Sequence, residues 1–303
     1  MKQIAIVLNG VSRRKRHFYH SILPALQQEG RGIEVHETQH AGHATQLAEI
    51  LTDNGAEVIL AAGGDGTLNQ VLNGVMMAKG PKPILGIIPL GTGNDFARLF
   101  GIKAEANLLK QLISAEPRLI DIGRISCQKE GIVVTHYFLN VCSLGMGPRV
   151  VQLLKSSKRS LGPAMTYFKA ILRAFFTHTP EPMELKSSEF EWSGRIRACC
   201  FANGTSFGNG LYIAPAARPD DGLFSLFIAG EVSLLEFLRF QAQLKRGNTI
   251  YHDRVHYETG VRFEVRSPKP MWIEAEGELA GTLPATIELD KERILFLGGA
   301  YER

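Results

Sequence analysis

The sequence predicts an α/β amino-terminal domain with a parallel sheet and a second domain that is mostly antiparallel β. Up to about residue 122, short apolar runs alternate with amphipathic stretches of helical period, which is typical of parallel strands covered by helices. Beyond residue 122, short β-like runs are separated by turn residues. We expect domains at 1–122 and 123–290, and the last residues, 291–303, could pack back onto the first.

The first domain is predicted to alternate strictly between strands and helices. In chain order these are a strand at 3–9, a helix at 17–30, a strand at 32–38, a helix at 43–55, a strand at 56–62, a helix at 68–78 and a strand at 83–90. Pro24 is expected to kink the first helix, and Gly30 and Gly55 to end the first and the second. Glycine motifs at 63–67 and 91–95 follow the third and fourth strands, at the carboxyl ends where parallel sheets bind ligands.

The second domain is predicted from shorter segments. The β-like runs lie at 121–127, 131–146, 196–204, 222–230, 261–267, 270–278 and 285–290, and helices are expected near 148–176 and 233–246. Cys199 and Cys200 are adjacent in one of these runs. Their side chains should therefore point to opposite faces of a strand.

The composition excludes several classes of protein. The 303 residues are 45% hydrophobic and carry a net charge of +4, too small a basic excess to indicate nucleic-acid binding. The four cysteines form no C-x-x-C pair, so we interpret them as free thiols of a reducing compartment and expect no zinc site. No apolar window approaches the roughly 18 residues of a membrane span, and no signal peptide is recognisable.

The loop at 63–67 reads GGDGT and has the composition of a phosphate-binding turn. Its glycines allow positive φ angles and close approach of the backbone to a ligand, and the following helix favours anions at its amino terminus. No lysine follows, and the charged side chain of Asp65 would itself repel a phosphate. We therefore interpret Asp65 as a ligand of Mg²⁺, and the ion would bridge its carboxylate and the phosphate oxygens. Taken alone, the motif is equally well explained by a glycine-rich turn in which Asp65 caps the helix.

A second loop of the same construction follows the next strand. The stretch PLGTGNDFAR contains a glycine turn, the hydroxyl group of Thr92, and then Asn94 and Asp95 at the start of a helix. Helix capping alone would not require Gly91 and Gly93 as well. Two such loops on neighbouring strand ends are expected to converge on one ligand.

Together the two motifs resemble the diacylglycerol kinase catalytic-domain family, and especially its branch of small two-domain bacterial lipid kinases. The segments GGDGTLNQVLNGV and LGIIPLGTGNDFAR carry this resemblance, which spans essentially the whole chain. GGDGT is shared with NAD kinases, whereas GTGNDFAR is far more specific to the lipid kinases. The resemblance implies ATP as the phosphate donor, a catalytic Mg²⁺, and a lipid substrate met transiently at a membrane surface.

The resemblance assigns roles to matching positions. ATP would be bound by Thr38, Gly63, Gly64, Asp65, Gly66, Thr67, Leu68, Asn69, Gly91, Thr92, Gly93 and Asn94. Asp65, Asp95 and Asp121 would hold the catalytic Mg²⁺, directly or through water. Without the resemblance, Asp121 would be interpreted as a turn residue at the domain junction.

A second, structural metal ion, Mg²⁺ or Ca²⁺, is implied in the second domain. The resemblance maps the loop APAARPDDGLFSL onto a site formed by the Asp221 side chain and the carbonyl groups of Arg218 and Leu223. The same residues suit an Asp-Gly turn between two strands. Such a turn could hold the metal as well, so the two interpretations are compatible.

The segment WIEAEGELAG departs from the family pattern. Relatives carry Asp-Gly-Glu here, with the aspartate as general base on the lipid hydroxyl, whereas this chain has Glu276, Gly277 and Glu278. Glu276 can accept the proton, but it is one methylene longer, so either the backbone retreats or the geometry is looser. Glu276 and Glu278 are the predicted catalytic residues. The alternative is that both lie on one strand face as solvated charges.

Two basic stretches could meet an anionic membrane. The segment SRRKRH at 12–17 follows the first strand and should lie near the strand ends, although a solvated loop explains any single residue in it. The second stretch joins three cations to a helix-like segment with a narrow polar stripe; these residues are Lys155, Lys158, Arg159, Thr166, Lys169, Arg173 and Thr177. Its wide apolar face suits a bilayer surface, but it also suits burial against the β domain, which we favour.

These observations predict a cytoplasmic, ATP- and Mg²⁺-dependent kinase that phosphorylates a lipid hydroxyl, with peripheral contact to the inner membrane face. An NAD kinase is the alternative within the enzyme class, and GTGNDFAR and the Glu-Gly-Glu strand argue against it. A nucleotide- or lipid-binding regulator with weak catalysis is the alternative outside that class. The sequence predicts neither the acceptor, whether diacylglycerol, phosphatidylglycerol or a sphingoid lipid, nor the oligomeric state.

Overall fold

A computed structural model describes residues 3–27, 32–103, 116–157 and 162–298. The chain divides into two compact units. The first contains Met1–Ile120 together with Glu292–Arg303, and the second contains Asp121–Lys291.

The first unit is built on a parallel sheet, as the apolar runs predict. Its strands are β1 (Ile4–Leu8), β2 (Ile33–Glu37), β3 (Val58–Gly63) and β4 (Ile84–Pro89). They lie in the order β4-β3-β1-β2 and pair in parallel throughout. Strands β1, β3 and β4 are buried along their whole length, which is why they read as continuous apolar runs.

The helices of the first unit occupy the predicted connections. They are α1, with an α-helical turn at Lys15–His17, a π-helical stretch at Phe18–Ile22 and a last turn at Leu23–Gln27, then α2 (His43–Asp53), α3 (Asp65–Met77) and α4 (Asp95–Leu99). The π-helical stretch directly precedes the last turn, which contains Pro24. A kink at Pro24 stays a prediction. Gly55 follows α2 with φ +81° and confirms the predicted helix end, whereas Gly30 lies outside the described residues.

The carboxy-terminal strand adds a parallel neighbour to β4 in the first unit. Strand β15 (Glu278–Phe296) ends with Phe296 paired to Leu85. The Phe296 ring contacts Phe96 and Phe100 at centroid distances of 5.2 and 5.1 Å. Residues 299–303 lie outside the described part of the chain.

The second unit is mostly antiparallel β, as predicted. Its other strands are β5 (Arg118–Lys129), β6 (Ile132–Phe138), β7 (Val141–Gly145), β8 (Glu181–Lys186), β9 (Glu191–Ile196), β10 (Ala198–Ala202), β11 (Phe224–Ala229), β12 (Val255–Gly260), β13 (Arg262–Arg266) and β14 (Trp272–Ala275). The main path runs β12-β11-β10-β7-β14-β15, with β13, β8 and β9 following from β15 on one branch and β5 and β6 on another. The helices are α5 (Met146–Lys155), α6 (Pro163–Thr177) and α7 (Leu234–Lys245).

The structure refines two expectations for the second unit and adds strands that were not predicted. The predicted helix near 148–176 is two helices, and α6 begins anew where Gly162, with φ +77°, precedes Pro163. The predicted β-like run at 131–146 is divided into two strands, β6 and β7, and its last residue, Met146, is the first residue of α5. The strands β8, β9 and β12 were not predicted, because they carry many charged or half-exposed residues and lack an apolar run.

The second unit has a buried apolar cluster on each face of its main sheet. Cys199 belongs to the cluster shared with β8 and β13, and Cys200 belongs to the cluster formed with α5, α6 and α7. Their opposite orientation confirms the strand prediction. Cys127 and Cys142 are also buried, and all four thiols are free, as predicted.

Candidate functional site

The two glycine loops of the first unit touch each other through their backbones. A Cβ atom on Gly91 would lie 2.5 Å from the Gly64 Cα, far inside normal contact distance. The Gly63 carbonyl accepts hydrogen bonds from the Leu90 and Gly91 amides at 2.8 and 3.1 Å. The predicted convergence of the loops therefore depends on glycine at both contact positions.

The glycines act through this close approach, and the expected positive φ angles are absent from them. Among the described residues with positive φ, neither loop contributes a glycine, and Gly64 has φ −103°. The left-handed residue is instead Asn94, with φ 52°. Its side-chain amide donates to the Gly91 carbonyl at 2.9 Å, and it thus shapes the turn before α4.

Asp65 links the first loop to the second. Its two carboxylate oxygens accept the amides of Asp95 and Phe96, each at 3.1 Å, so Asp65 caps α4. The alternative in which Asp65 caps its own helix, α3, was wrong, because the N-cap residue of α3 is Gly64. Burial, followed by the Asp95 carboxylate, raises the pKa of Asp65 to about 6.

Asp65 and Asp95 form a pair of carboxylates that fits a magnesium ion. A Cβ atom on Gly93 would lie 3.3 and 3.4 Å from one oxygen of each, so a side chain there would enter the space between them. Arg98 donates to Asp95 at 2.7 Å and balances one charge. In the described part of the chain no three His, Cys, Asp or Glu residues cluster as a metal site. Mg²⁺ nevertheless commonly needs only one or two carboxylates besides water and phosphate.

Further polar groups line the same edge of the sheet. Thr38, after β2, accepts the Gly10 amide on its hydroxyl at 3.0 Å. Asn9, directly after β1, donates to the Thr67 hydroxyl at 3.1 Å. Asn9 was not predicted, although an Asn-Gly pair following a buried strand was the available signal. The hydroxyl of Ser12 lies 3.5 Å from the Leu90 carbonyl, which puts the start of the basic stretch at these strand ends.

The remaining predicted nucleotide ligands differ in exposure. Thr92 is exposed and Gly66 is partly exposed, whereas Leu68 and Asn69 are buried at 2% exposure. Asn73 donates to the Asn69 carbonyl at 2.8 Å. The Leu68 and Asn69 side chains therefore belong to the interior, and a role for them in ATP binding stays a prediction.

In the second unit, Asp121 is tied to the loop predicted to hold a structural metal. Its carboxylate accepts the Gly222 amide at 2.8 Å, and its own amide donates to Pro219 at 2.7 Å. Asp221 accepts the Leu223 amide at 3.0 Å, which forms the expected turn. The metal site of Asp221 with the Arg218 and Leu223 carbonyls stays a prediction, as does a metal role for Asp121.

Glu276 and Gly277 form a two-residue turn between β14 and β15, with φ 53° and 82°. The Glu276 carboxylate accepts the amides of Asn140 at 2.6 Å and Leu139 at 3.2 Å. The alternative in which Glu276 and Glu278 share one strand face as solvated charges was therefore wrong. A turn separates the two residues, and backbone amides bind the first.

Two further acids flank this turn. Glu278 pairs with Lys155 at 2.6 Å and lies near His136, whose pKa is lowered to about 4 by burial. Glu274, in β14, was not predicted as a site residue. It is 3% exposed, accepts the Ser143 hydroxyl at 2.5 Å and the Gly277 amide at 3.0 Å, and burial raises its pKa to about 7. An acid within the otherwise apolar run before the turn was the available signal.

Helix α6 is buried on one side and exposed on the other. Ala170 and Ala174 belong to the apolar core, as the favoured interpretation expected. Phe168 and Phe176 are 47% and 67% exposed, and Lys169 and Arg173 share their outward face. Lys158 and Arg159 lie outside the described residues. No helix in the described part of the chain combines the length and the apolar character needed to cross a bilayer.

Two protein-family models match the chain. The diacylglycerol kinase catalytic domain matches residues 3–125, and the YegS C-terminal NAD kinase beta sandwich-like domain matches residues 140–296. The catalytic model is that of diacylglycerol kinases, so the NAD kinase alternative is not supported.

Curated relatives and solved structures agree over the whole chain. A diacylglycerol kinase of Bacillus subtilis (strain 168) is 31% identical over 94% of this chain and 92% of its own. One of Staphylococcus aureus (strain bovine RF122 / ET3-1) is 30% identical over 97% and 91%. A crystal structure of a diacylglycerol kinase from Bacillus anthracis str. Sterne has a TM-score of 0.74 at 17% identity, covering 98% and 97% of the two chains, and so shows the same fold. The chain therefore belongs to the diacylglycerol kinase family, a family of lipid kinases.

Proposed function

We propose that the protein transfers the γ-phosphate of ATP to a lipid hydroxyl in a Mg²⁺-dependent reaction, with the first unit binding the nucleotide and the second the lipid. The names of the curated relatives favour diacylglycerol as the first acceptor to test. The observation that carries the proposal is the direct contact of two glycine loops with Asp65 and Asp95 facing each other beside it.

The nucleotide side of the reaction rests on position and charge. The loops present backbone and small hydroxyl groups where bulkier residues would block a phosphate chain. Asp65 and Asp95 would hold the metal, which supplies neutralisation of the phosphate charge when it is bound. The amides of Asp95 and Phe96 fix the Asp65 carboxylate in place, so little reorganisation is required on binding.

The acceptor side rests on Glu276. Its carboxylate accepts two backbone amides, which hold it in place to accept a proton from the lipid hydroxyl. Glu278 is paired with Lys155 and would keep the charge near the turn balanced. The loop Arg218–Leu223 is proposed to hold a structural Mg²⁺ or Ca²⁺ through one carboxylate and two carbonyl groups.

Contact with the membrane is proposed through the outward face of α6. Residues 131–180 contain six Lys or Arg residues and no acidic residue, which suits an anionic lipid surface. Met165, Phe168 and Phe176 are all exposed and would enter the headgroup region beside Lys169 and Arg173. We propose a cytoplasmic protein that binds the membrane peripherally.

The test is transfer of labelled γ-phosphate from ATP to lipid in mixed micelles with Mg²⁺. Wild type is compared with Asp65→Asn and Glu276→Gln, and the labelled product is identified by chromatography with diacylglycerol, phosphatidylglycerol and sphingoid lipids as acceptors. We expect both variants to lose at least about 100-fold in kcat, since each removes a charge from the reacting groups.

Matched controls separate chemistry from folding. Asp53→Asn alters a carboxylate that also binds two backbone amides, those of Lys79 and Gly80, and Glu236→Gln alters a helix-capping acid. Both should retain near wild-type kcat. Wild type that binds ATP but labels no lipid would overturn the kinase proposal in favour of a regulator.

A further inference from the structure

Glu274 is a buried acid to which the proposed reaction gives no role. It lies in β14, between β7 on one side and β15 on the other, and only 3% of its surface is exposed. An isolated carboxyl group in such a place is costly unless hydrogen bonds compensate for the lost water. A carboxyl group at this buried position therefore needs compensating hydrogen bonds.

Its contacts join the sheet to the turn. One Glu274 oxygen accepts the Ser143 hydroxyl at 2.5 Å, and Ser143 lies directly opposite on β7. The other oxygen accepts the Gly277 amide at 3.0 Å. Helix α5 closes over this pair, since a Cβ atom on Gly147 would lie 2.0 Å from the Ser143 hydroxyl oxygen.

The turn needs such support. Glu276 has φ 53°, a conformation that is unfavourable for a residue with a side chain. Its amide donates to the Val141 carbonyl at 3.3 Å, and its carboxylate is held by backbone amides of the segment before β7. The bond from Gly277 to Glu274 closes the turn from the other side.

We propose that Glu274 is a positioning residue for phosphate transfer: its carboxyl group binds the Gly277 amide and the Ser143 hydroxyl and thereby fixes the turn that carries Glu276. This inference rests on the proposed role of Glu276 as general base. A group displaced by about 1 Å can lose two orders of magnitude in rate, so the fixed turn matters for kcat.

The charges around Glu274 are compatible with this role. Burial raises its pKa, and the hydrogen bonds from Ser143 and Gly277 act in the opposite direction. The titratable groups that interact with it electrostatically are Cys142, on the opposite face of the sheet, Cys200, and Glu278, which is paired with Lys155; the pKa values of both thiols are well above their usual range. The thiols are therefore neutral, and an ionised Glu274 can accept both hydrogen bonds while a protonated one can still accept the Gly277 amide.

The first experiment compares kcat and the KM for ATP in Glu274→Ala, Glu274→Gln and wild type. Glu274→Ala should lower kcat roughly 10- to 100-fold with little change in KM. Glu274→Gln should stay within about fivefold of wild type, because its amide can still accept from Gly277 and donate to Ser143. The control is Ile228→Val, which removes a buried methyl group from the apolar cluster on the opposite face of the sheet, in β11, a strand not paired with β14.

The second experiment does not depend on turnover. The chemical shift of the Gly277 amide proton, followed by NMR, should show a titration step from the Glu274 carboxyl group in wild type, and that step should be lost in Glu274→Gln. The inference would be overturned if Glu274→Ala kept the wild-type kcat or if Ile228→Val lost as much kcat as Glu274→Ala. It would also be overturned if the Gly277 amide shift did not depend on Glu274. Equal loss in Glu274→Gln and Glu274→Ala would overturn it in favour of direct proton transfer by Glu274. If wild type failed to label lipid, the proposed function would be wrong. The NMR experiment would still test the hydrogen bond from the Gly277 amide to Glu274.

Discussion

At the residue scale, Glu276 shows why this chain can carry a glutamate where the family resemblance expects an aspartate. A two-residue hairpin turn with positive φ favours Asn-Gly or Asp-Gly, so glutamate is a costly choice. Its longer side chain reaches the Leu139 and Asn140 amides, and these bonds offset part of the cost. These two bonds anchor the longer side chain to the segment before β7.

The pKa of Glu274 predicts how this residue affects stability. Burial raises it from 4.5 to about 7, so the folded state binds the proton more tightly than the unfolded state. Its contribution to stability is complete below about pH 4.5 and is lost as the pH rises through about 7. Relative to wild type, Glu274→Gln should gain about 2–3 kcal/mol in free energy of unfolding between pH 5 and pH 8. Urea denaturation at several pH values measures this, and a constant difference would contradict it.

The contact between the glycine loops predicts a sharp size limit. Gly91→Ala puts a Cβ atom 2.5 Å from the Gly64 backbone, so the loops must separate. We expect a loss of about 1–3 kcal/mol in stability and of at least about 100-fold in kcat. Gly32→Ala is the control, because nothing lies within 4 Å of its Cβ position. Unchanged kcat in Gly91→Ala would show that the loops need not touch.

At the element scale, parallel pairing brings the functional loops together. The ends of β1, β2, β3 and β4 lie at one edge of the sheet, so Asn9, Thr38, Asp65 and Asp95 become neighbours although they are distant in sequence. The glycine loops after β3 and β4 could be predicted because each follows a clear apolar strand. The β8–β9 hairpin and β12 could not, because their residues alternate between half-buried and exposed and their pairing partners are remote.

Helix α6 carries a prediction about membrane binding. Phosphatidylcholine vesicles with about 30% phosphatidylglycerol should bind the protein more tightly than phosphatidylcholine alone, and added salt should weaken the binding. The double variant Lys169→Glu, Arg173→Glu should lower affinity at least about tenfold, since each cation contributes about 1 kcal/mol. Phe176→Ser should also weaken binding.

Val133→Ser is the matched control for Phe176→Ser, because Val133 is 69% exposed on β6, away from α6. Equal effects of the two serine substitutions would show that the α6 face is not the contact surface. If the affinity for vesicles did not depend on lipid charge, the proposed attraction between Lys169, Arg173 and anionic lipids would be wrong.

At the scale of the whole molecule, ligand binding should appear as added stability. ATP with Mg²⁺ at about 100 times its Kd contributes about 2.7 kcal/mol and should raise Tm by several degrees. The shift should vanish in Asp65→Asn and persist in Glu276→Gln, because we assign metal holding to the first and proton transfer to the second. Calorimetry with and without a chelator measures it, and a shift retained in Asp65→Asn would contradict the metal assignment.

The sequence by itself determined the fold class, the strand ends that carry the glycine loops, the family and most of the candidate site. Those features follow from local patterns: apolar runs, glycine spacing and adjacent acids. Only the tertiary structure decided that Asp65 caps the neighbouring helix, that the loop glycines act by contact, and that Glu274 supports the turn of Glu276. Each of these depends on hydrogen bonds or contacts between segments far apart in the chain, whose partners no local pattern specifies.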